Sequence, residues 1–467
     1  MTDPTKPSYF QSRYLAHKYW GRRPWYVVRG LIEEHTRPGE RVLDSFCGSG
    51  TTIIEALATG RRAVGCDLNP MAVFITRVTA VPADTDTFED AFERLGARAQ
   101  APIDRFYERD PGGIHPEHWY PDVTLPCSQF GAAKKGLTVA GLFSKRNLAA
   151  AALLRHEIEA LECDPVTRDL LRYTFTAALA QFTKMIRTKK EGTGWYVNAY
   201  RIPRSHRENN VWHSYENKFR AVLRMKAETN RILAGQEVAV EPPARPDAPA
   251  RLRCASATDL SFLPADSVDY VFIDPPWAIK YFDLSVLWCA WMGFPLAFEQ
   301  EIFPREANFS VDIARAIREL ARVLRPGRTL TFNFATRHTD QINHLRQAIE
   351  ASGLEWTGTQ AIQQDQLSFV QRQTELALKA NYLLTLEKRR AAALAAPQPR
   401  AITAEYMTQM IRVLLARTGP LSYDQIFQHL YPEIARHPLA CDIRAVLERG
   451  FRLVEERRPY TEARWDA

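Results

Sequence analysis

The feature that most constrains this chain is the heptapeptide VFIDPPW at residues 271–277, an apolar run that stops at an acid, two prolines and a tryptophan. The apolar residues predict a buried parallel strand. Pro275 and Pro276 end that strand because they have no N–H to donate to a sheet. The loop would then hold the Asp274 carboxylate, the Pro275 carbonyl and the Trp277 ring at the carboxyl end of the sheet, where open α/β folds bind their ligands.

Two hydrogen-bond acceptors beside a flat ring suit a planar heterocycle that carries an exocyclic amine. Such a ligand gives its two N–H bonds to the Asp274 carboxylate and the Pro275 carbonyl, and it stacks on Trp277. Taken alone, the same string also fits a strand-ending turn that is capped by its Asp. The rest of the chain has to decide between these interpretations.

Length and composition predict two or three domains without a membrane segment. The chain has 467 residues, 46% of them hydrophobic, which is enough to bury a large core. We expect a cytoplasmic protein because no apolar run reaches about 18 residues and the N-terminus lacks the apolar core of a signal peptide. The seven cysteines show no CxxC spacing, so we expect neither a disulfide framework nor a metal site.

Positive charge is concentrated in the middle of the chain. Between Lys134 and Arg231 there are 19 Lys or Arg against 9 Asp or Glu, an excess of 10 positive charges. Because the whole chain carries +7, the remaining residues sum to −3. A basic segment in a mildly acidic chain indicates a surface that binds a polyanion.

The N-terminal part of the chain has the pattern of a nucleotide-binding βαβ unit. The pattern predicts, in order, a helix after Pro24, a strand at 41–46, a glycine turn at 47–50, a helix at 51–59 and a strand at 62–68. The glycines allow a ligand to approach the backbone closely. Asp67, near the end of the second strand, is placed to accept hydrogen bonds from ribose hydroxyls.

A nicotinamide dinucleotide is the obvious competing ligand, but the spacing of the turn argues against it. The dinucleotide fingerprint requires a third glycine, whereas Gly50 is followed by Thr51, Thr52 and Ile53. Asp44 at the end of the first strand would also be badly placed beside a pyrophosphate and well placed beside an ammonium group. A ligand with adenosine at one end and an amino acid at the other suits both acids, and S-adenosylmethionine (SAM) is that ligand.

With these motifs the sequence resembles the bacterial amino-methyltransferases of DNA, which methylate the exocyclic amine of adenine or cytosine. VLDSFCGSGTT resembles the SAM-binding string of that family, DPPW resembles its catalytic tetrapeptide, and RRPWYVVRGLIEEHTRPGERVLD resembles the segment before the SAM string. The resemblance covers roughly residues 15–80 and 252–390. It implies an α/β fold, with a Rossmann-like SAM-dependent methyltransferase sheet whose two halves are separated by a large insert. The pattern of the insert predicts mostly helices, and the helix-rich stretch after residue 402 with its strand-like end predicts a small C-terminal helical or winged-helix domain.

The resemblance also implies roles for individual residues. Asp44 would meet the methionine end of SAM and Asp67 its ribose, while Asp259 falls where the family contacts the adenine. Ser45 stands where the family usually has proline, which loosens the turn but removes no ligand group. The residues that would shape the bed of the cofactor are Phe46, Gly48, Ser49 and Gly50, and those that would form the catalytic loop are Asp274, Pro275, Pro276 and Trp277.

The motifs, with the Pro-rich stretch at 241–249 and the change in composition at 390–402, suggest a division into domains. We expect the SAM-binding half at 1–80, a target-recognition and DNA-binding insert at 81–250, the catalytic half at 251–390 and a small domain at 402–467. The last domain fits a winged helix that contacts DNA, and an oligomerisation or lid module equally well.

Within the insert, the residues expected to contact DNA phosphates are Lys184, Arg187, Lys189 and Lys190. Aromatic residues that could stack on bases alternate with the basic ones, namely Trp195, Tyr196, Tyr200, Trp212 and Tyr215. The alternative interpretation is a solvated basic face over an ordinary aromatic core.

Together these features predict a SAM-dependent methyltransferase of double-stranded DNA that acts on the amine of adenine in a flipped-out base. The alternatives are an N4-cytosine DNA methyltransferase, an RNA amino-methyltransferase and a non-catalytic SAM-sensing DNA-binding protein. A cytosine-C5 mechanism, suggested by Pro126-Cys127, is rejected because that pair lies far from both motifs and DPPW has no role in such chemistry. A restriction or phage-defence partner and a nucleoid location in a bacterial cytoplasm follow as expectations from the resemblance.

Overall fold

The computed structural model describes residues 11–126, 135–188, 194, 199–234, 238–240, 248–276, 280–295, 301–302, 308–334, 339–363, 380–390, 400–455 and 464–466. The chain divides into two compact units. Unit 1 comprises residues 1–256 and 279–301, and unit 2 comprises residues 257–278 and 302–467. No helix in the described ranges is both long and apolar enough to cross a bilayer.

Unit 1 combines parallel strands with a large set of helices. Its strands are β1 (Arg41–Asp44), β2 (Arg62–Asp67), β3 (Val238–Val240) and β4 (Ala250–Cys254). Its helices are α1 (Ser12–Leu15), α2 (Trp25–His35), α3 (Thr51–Ala58), α4 (Pro70–Ala80), α5 (Thr85–Glu108), α6 (Lys145–Ala160), α7 (Pro165–Ala178), α8 (Val211–Ile232) and α9 (Tyr281–Met292). The strands pair in the order β3-β4-β2-β1, and all of these pairings are parallel.

The helix that follows the glycine turn is fixed by a buried charged cluster. Glu55 of α3 is 0% exposed, and its carboxylate accepts hydrogen bonds from Arg13 at 3.0 Å, Tyr14 at 2.5 Å and Arg29 at 2.7 Å. A buried carboxylate is tolerated only when it is paired and hydrogen-bonded in this way. The N-terminal segment and α2 are therefore tied to the helix that positions the turn.

The insert packs as a helical layer on the same unit. Its core includes Phe88 of α5, Leu154 of α6, Leu171 of α7 and Tyr215 of α8, each no more than 1% exposed. Lys226 of α8 is also buried, and its ammonium donates hydrogen bonds to three backbone carbonyls at the end of α4, those of Val78, Thr79 and Val81, at 2.7, 3.1 and 2.7 Å. Helix ends leave such carbonyls without partners, so this lysine attaches the insert to the cofactor half.

Unit 2 carries a mixed run of strands. Its strands in this run are β5 (Val268–Ile273), β6 (Leu324–Phe334), β7 (Leu354–Gln363) and β8 (Ala380–Lys388), and the helices between them are α10 (Phe309–Val323) and α11 (Thr339–Ala351). The order is β5-β6-β8-β7, with β5 and β6 parallel and the last strand, β8, antiparallel to both of its neighbours. Every residue of β5 is buried, as the apolar run predicted.

The C-terminal residues of unit 2 have winged-helix topology. In chain order they form α12 (Ala404–Thr418), β9 (Leu421–Ser422), α13 (Tyr423–Arg436), α14 (Ile443–Gly450), β10 (Arg452–Glu455) and β11 (Arg464–Asp466). The three strands pair in the order β10-β11-β9, and both pairings are antiparallel. Tyr431 of α13 stacks on Tyr382 of β8 with ring centroids 4.5 Å apart, so the module packs directly on the sheet.

The α/β class and the winged-helix option are confirmed by these elements. The parallel run with a helix after each early strand, and the final antiparallel strand between β6 and β7, are those of a Rossmann-like methyltransferase sheet. The boundaries expected from the motifs, 1–80, 81–250, 251–390 and 402–467, follow sequence resemblance. The two units follow packing instead, so those boundaries remain a prediction.

Candidate functional site

The first strand of unit 1 ends at an acid whose two oxygens are both held by the residues that follow it. Asp44 is 3% exposed and is the last residue of β1. Its Oδ1 accepts a hydrogen bond from the N–H of Phe46 at 3.0 Å, and its Oδ2 accepts one from the hydroxyl of Thr52 at 2.6 Å. The carboxylate therefore has a single orientation that is set by its own loop.

The glycine turn leaves no room for a side chain at two positions. The φ angle is +51° at Gly48 and +84° at Gly50, in the left-handed region that favours glycine. A Cβ on Gly48 would lie 3.1 Å from Cε1 of Tyr19, and a Cβ on Gly50 would lie 2.5 Å from Cγ2 of Thr76. The turn thus presents bare backbone, as a main chain that contacts a ligand must.

The second strand ends at an acid that is bound to the same turn. Asp67 accepts hydrogen bonds from the N–H of Gly48 and the N–H of Asn69, both at 2.9 Å. Burial raises the pKa of this carboxyl to about 6, while the two backbone donors oppose that shift. Each oxygen keeps a lone pair after these bonds, so the carboxylate can still accept hydrogen bonds from the hydroxyls of a ribose.

An arginine that the sequence analysis did not single out lies beside the turn. The Nε of Arg22 donates a hydrogen bond to the hydroxyl of Ser49 at 2.9 Å. A guanidinium at this position can hold a carboxylate, such as that of an amino-acid ligand. The adjacent arginines at 22 and 23 were a signal, but a contact between residues that lie 27 positions apart cannot be read from spacing.

These groups fit SAM by their chemistry. Asp44 offers a buried negative charge for the ammonium group, Arg22 offers a positive charge for the carboxylate, and Asp67 offers acceptors for the ribose. The bare backbone at Gly48 and Gly50 allows the close approach that such a ligand needs. The sequence prediction for Asp44, Phe46, Gly48, Ser49, Gly50 and Asp67 therefore has a consistent local geometry.

In unit 2, an acid directly follows strand β5 and precedes two prolines. Asp274 follows the last residue of β5 and is half-buried, whereas Pro275 and Pro276 are buried. The amide Nδ2 of Asn333 on β6 donates a hydrogen bond to Oδ1 of Asp274 at 2.5 Å. The sequence analysis missed Asn333, although a polar residue between Phe332 and Phe334 in a buried strand was a signal.

Asp259, the predicted contact to adenine, also lies in unit 2. It is exposed, and its Oδ1 accepts a hydrogen bond from the N–H of Ser261 at 3.0 Å. Its role toward a cofactor stays a prediction. Several residues singled out from the sequence lie outside the described residues: Cys127, Lys189, Lys190, Trp195, Tyr196 and Trp277.

Three of the predicted stacking residues lie in the described part of the insert, and all three are core residues, so their interpretation as a base-stacking surface was wrong. Tyr200, Trp212 and Tyr215 are 3%, 4% and 0% exposed. The hydroxyl of Tyr200 donates to the carbonyl of Leu284 at 2.7 Å, and Trp212 stacks on Phe92 at 5.4 Å between ring centroids. Their spacing in the sequence places them on the inner side of the insert, where apolar area is removed from water.

Several described basic residues of the insert, in contrast, lie at least partly at its surface. Two backbone segments are hydrogen-bonded to each other. The N–H of Arg207 donates to the carbonyl of Ile186 at 2.9 Å, and Arg187 and His206 form an isolated antiparallel β-bridge. We call residues 184–188 and 201–207 the basic loop pair. Lys184 and Arg187 are half-buried, and the exposed arginines of the second strip are Arg201, Arg204 and Arg207.

Comparison with known proteins agrees with the motif at the N-terminus. Residues 5–77 match the model of the DNA methylase family of N6 and N4 methyltransferases, which confirms the predicted resemblance over that segment. The type II methyltransferase M1.MboII of Moraxella bovis is 43% identical over 47 residues, which are 10% of this chain and 18% of that protein. The type II methyltransferase M2.DpnII of Streptococcus pneumoniae is 37% identical over 62 residues, 13% of this chain and 23% of that protein.

These relatives are matched over less than a quarter of their own lengths. Among solved structures, a SAM-dependent methyltransferase from Methanosarcina mazei aligns with 77% of this chain and 97% of its own, at 10% identity and a TM-score of 0.28. SAM is the cofactor that the family match implies, and it agrees with the geometry of the turn.

Proposed function

We propose that this protein transfers the methyl group of SAM to the exocyclic amine of a base in double-stranded DNA, with adenine as the preferred base. One observation carries the proposal. The Asp274 carboxylate stands at the end of a fully buried strand, held by the Asn333 amide and followed by two buried prolines. The same chain carries a SAM-type glycine turn within the segment that matches the DNA methylase family.

The chemistry requires an activated amine. The lone pair of an aromatic amine is delocalised into the ring, so the nitrogen is a poor nucleophile. Asp274 and the carbonyl of Pro275 would each accept one N–H bond of the amine and favour a pyramidal nitrogen whose lone pair points away from the ring. Catalysis would then consist mainly of positioning and electrostatics.

SAM, when bound, supplies an electrophilic methyl group and retains the electron pair of the broken sulfur–carbon bond. The nitrogen uses its lone pair to form the new nitrogen–carbon bond in a direct in-line transfer, and it must then lose one proton. The Asp274 carboxylate, which already accepts one N–H bond, is placed to take that proton and pass it to water. No covalent intermediate with the protein is needed.

The cofactor would be held by the groups of unit 1. Asp44 would meet the ammonium group, Arg22 the carboxylate and Asp67 the ribose, while Phe46 and the backbone of Gly48 would shape the bed. Asp259 would contact the adenine, as the family resemblance implies.

A DNA substrate also requires contacts to phosphates, because the target base has to leave the duplex at a cost of a few kcal/mol. The basic loop pair is the natural candidate for these contacts. Its described cations are Lys184, Arg187, Arg201, Arg204 and Arg207. With a DNA substrate the protein would work in the bacterial cytoplasm, and its type II relatives make a restriction or defence-system protein the partner to look for.

The preference for adenine rests on two residues of the catalytic loop. Family members that methylate cytosine mostly have Ser where this chain has Asp274. Trp277 would offer more stacking area than the tyrosine found in many members, which favours a two-ring purine.

Incubation with labelled SAM and mixed-sequence duplex DNA, followed by digestion to nucleosides and mass spectrometry, tests the function. We expect label in 6-methyladenine. Label only in 4-methylcytosine would overturn the choice of base and keep the amine mechanism, and label in neither would remove DNA as the substrate.

The DNA surface has a separate test. Replacing Arg187, Arg204 and Arg207 by Gln should weaken binding to all sequences and flatten the salt dependence by about 0.9 log unit for each phosphate that the protein no longer neutralises. Neutralising Lys184, Lys189 and Lys190 extends the test to the positions predicted from the sequence.

Replacing Arg94 and Arg98 by Gln is the matched control, because these exposed arginines of the same insert are paired with Asp90 and Glu157. A salt slope that changes equally in both sets, or in neither, would show that the basic loop pair is ordinary solvated surface.

A further inference from the structure

The amide of Asn333, which donates a hydrogen bond to Asp274, is a polar group in an apolar part of strand β6. Asn333 is the second-to-last residue of β6, between Phe332 and Phe334, and all three residues are 0% exposed. Placing an amide side chain in an apolar layer is unfavourable unless the amide is hydrogen-bonded. A hydrophobic residue would serve the packing of this strand better, so the amide calls for another explanation.

The register of the sheet brings this amide to the end of the neighbouring strand. Ile273 pairs with Phe332, so the next residues along the two parallel strands, Asp274 and Asn333, lie side by side. The Nδ2 of Asn333 donates to Oδ1 of Asp274 at 2.5 Å. The two residues are 59 positions apart in the chain, and only strand pairing joins them.

We propose that Asn333 is a positioning residue for methyl transfer, which fixes the orientation in which the Asp274 carboxylate accepts the N–H of the target amine. This inference rests on the proposed function. Pro275 and Pro276 restrict the backbone of the loop, but they do not restrict rotation of the Asp274 carboxylate about its own side-chain bonds. The Asn333 amide supplies that restriction.

The choice of an amide over a cation follows from the chemistry. A lysine or arginine here would neutralise the carboxylate and weaken it as an acceptor of the amine N–H. A neutral N–H donor orients the carboxylate and leaves its charge in place.

The same pair of strands offers a matched control. The hydroxyl of Tyr270 on β5 donates to Oγ1 of Thr331 on β6 at 2.7 Å. This bond joins side chains of β5 and β6 two residues before Asn333, and both of its residues are buried, but it does not touch Asp274. Thr331→Val removes it with little change in volume.

The first test compares Asn333→Leu with Thr331→Val in the full-length protein. Asn333→Leu should lower kcat by about ten- to a hundredfold, since small errors in the position of a catalytic group have effects of this size. Its Kd for SAM, measured by calorimetry, should stay within about twofold of the parent value because the cofactor groups are untouched. Thr331→Val should keep kcat within about twofold, because the bond that it removes does not orient Asp274.

The second test uses Asn333→Asp and covers the case in which Asn333→Leu does not fold. Two adjacent carboxylates share a proton, and the one that keeps it can donate a hydrogen bond to the other. Turnover of Asn333→Asp should therefore be highest at acidic pH and fall as the shared proton is lost, whereas the parent protein lacks this alkaline loss. A purely structural role for Asn333 instead predicts a loss in kcat that follows the loss of folded protein, measured by circular dichroism at each pH.

The outcomes are distinct. If the parent protein transfers methyl groups to DNA and Asn333→Leu retains its kcat, or loses no more than Thr331→Val does, the positioning role is overturned and the proposed function stands. If the parent protein transfers no methyl group to DNA, the proposed function and the positioning role fall together.

Discussion

The strand-end acids of the two units are held in different ways. In unit 1, Asp44 and Asp67 accept hydrogen bonds from groups 2 to 19 positions away in the chain, most of them backbone N–H groups of the adjoining loops. In unit 2, Asp274 is held by a side chain 59 positions away on a neighbouring strand. The acids proposed to bind the cofactor are thus oriented mainly by nearby residues of the chain. The proposed catalytic acid, Asp274, is oriented by a residue that strand pairing brings close to it.

This difference predicts that substitutions of the two kinds of acid change different quantities, the affinity for SAM in one case and turnover in the other. Loss of a group from the cofactor turn should act on the affinity for SAM. Loss of a group from the catalytic loop should act on turnover and leave the affinity alone. Three experiments, from the largest expected effect to the smallest, test that separation.

Asp274→Ala should abolish transfer, with a loss in kcat of about a thousandfold or more because the acceptor of the amine proton is gone. The Kd for SAM should not change. Asp269→Ala is the control, since this acid of the same strand is 3% exposed and forms an ion pair with Arg325 away from the loop. Turnover near the parent level in Asp274→Ala, or an equal loss in both variants, would remove the proposed mechanism.

Gly48→Val should weaken SAM binding by about a hundredfold or more, since a Cβ there would lie 3.1 Å from Cε1 of Tyr19 and the turn would have to move away from its ligand-binding position. Gly39→Val separates this effect from backbone strain. Gly39 also has a positive φ, +85°, but a Cβ there would meet nothing within 4 Å. Calorimetry with SAM, together with circular dichroism to verify the fold, gives the answer; equal affinities in the two variants would show that the cofactor binds elsewhere.

The smallest effect is expected from pH. Because the pKa of Asp67 is about 6 and the ionised form is the better acceptor of ribose hydroxyls, affinity for SAM should rise by about tenfold between pH 5 and pH 7. Asp67→Asn should bind more weakly at pH 7 and lose this dependence. A pH profile that is the same in both proteins would mean that Asp67 does not contact the cofactor.

The raised pKa of Asp67 also predicts a pH dependence of stability, opposite in sign to the pH dependence of the affinity for SAM. Its pKa lies above the ordinary value of 3.8, so the native state binds the proton more tightly than the unfolded chain does. The contribution of Asp67 to the free energy of unfolding is therefore fully present below about pH 4 and is lost as the pH rises through about 6. Thermal unfolding of the parent and of Asp67→Asn over this range measures the difference.

The insert shows where sequence reasoning succeeded and where it failed. Alternation of bases and aromatic residues predicted one surface that uses both, but the structure separates them. Trp212 and Tyr215 point into the helical core, and Arg204 and Arg207 lie at the surface. Composition reports which residues a segment contains, whereas the face that each occupies depends on which helix packs against it.

Motifs with local partners were predictable. The glycine turn, its two acids and the strand that ends at Asp274 each depend on residues close in the chain, and the structure places them as expected. For such groups the geometry follows from backbone preferences: glycine for positive φ, proline for the end of a strand, and an acid for N–H groups two residues further on.

The strands, the turn and the acids of the candidate site could therefore be predicted from local residue patterns. The distant side chains that complete it, Arg22 against Ser49 and Asn333 against Asp274, became visible in the folded chain alone. The physical reason is that hydrogen bonds between distant residues depend on strand register and on chain folding, and both are set by the burial of the whole core.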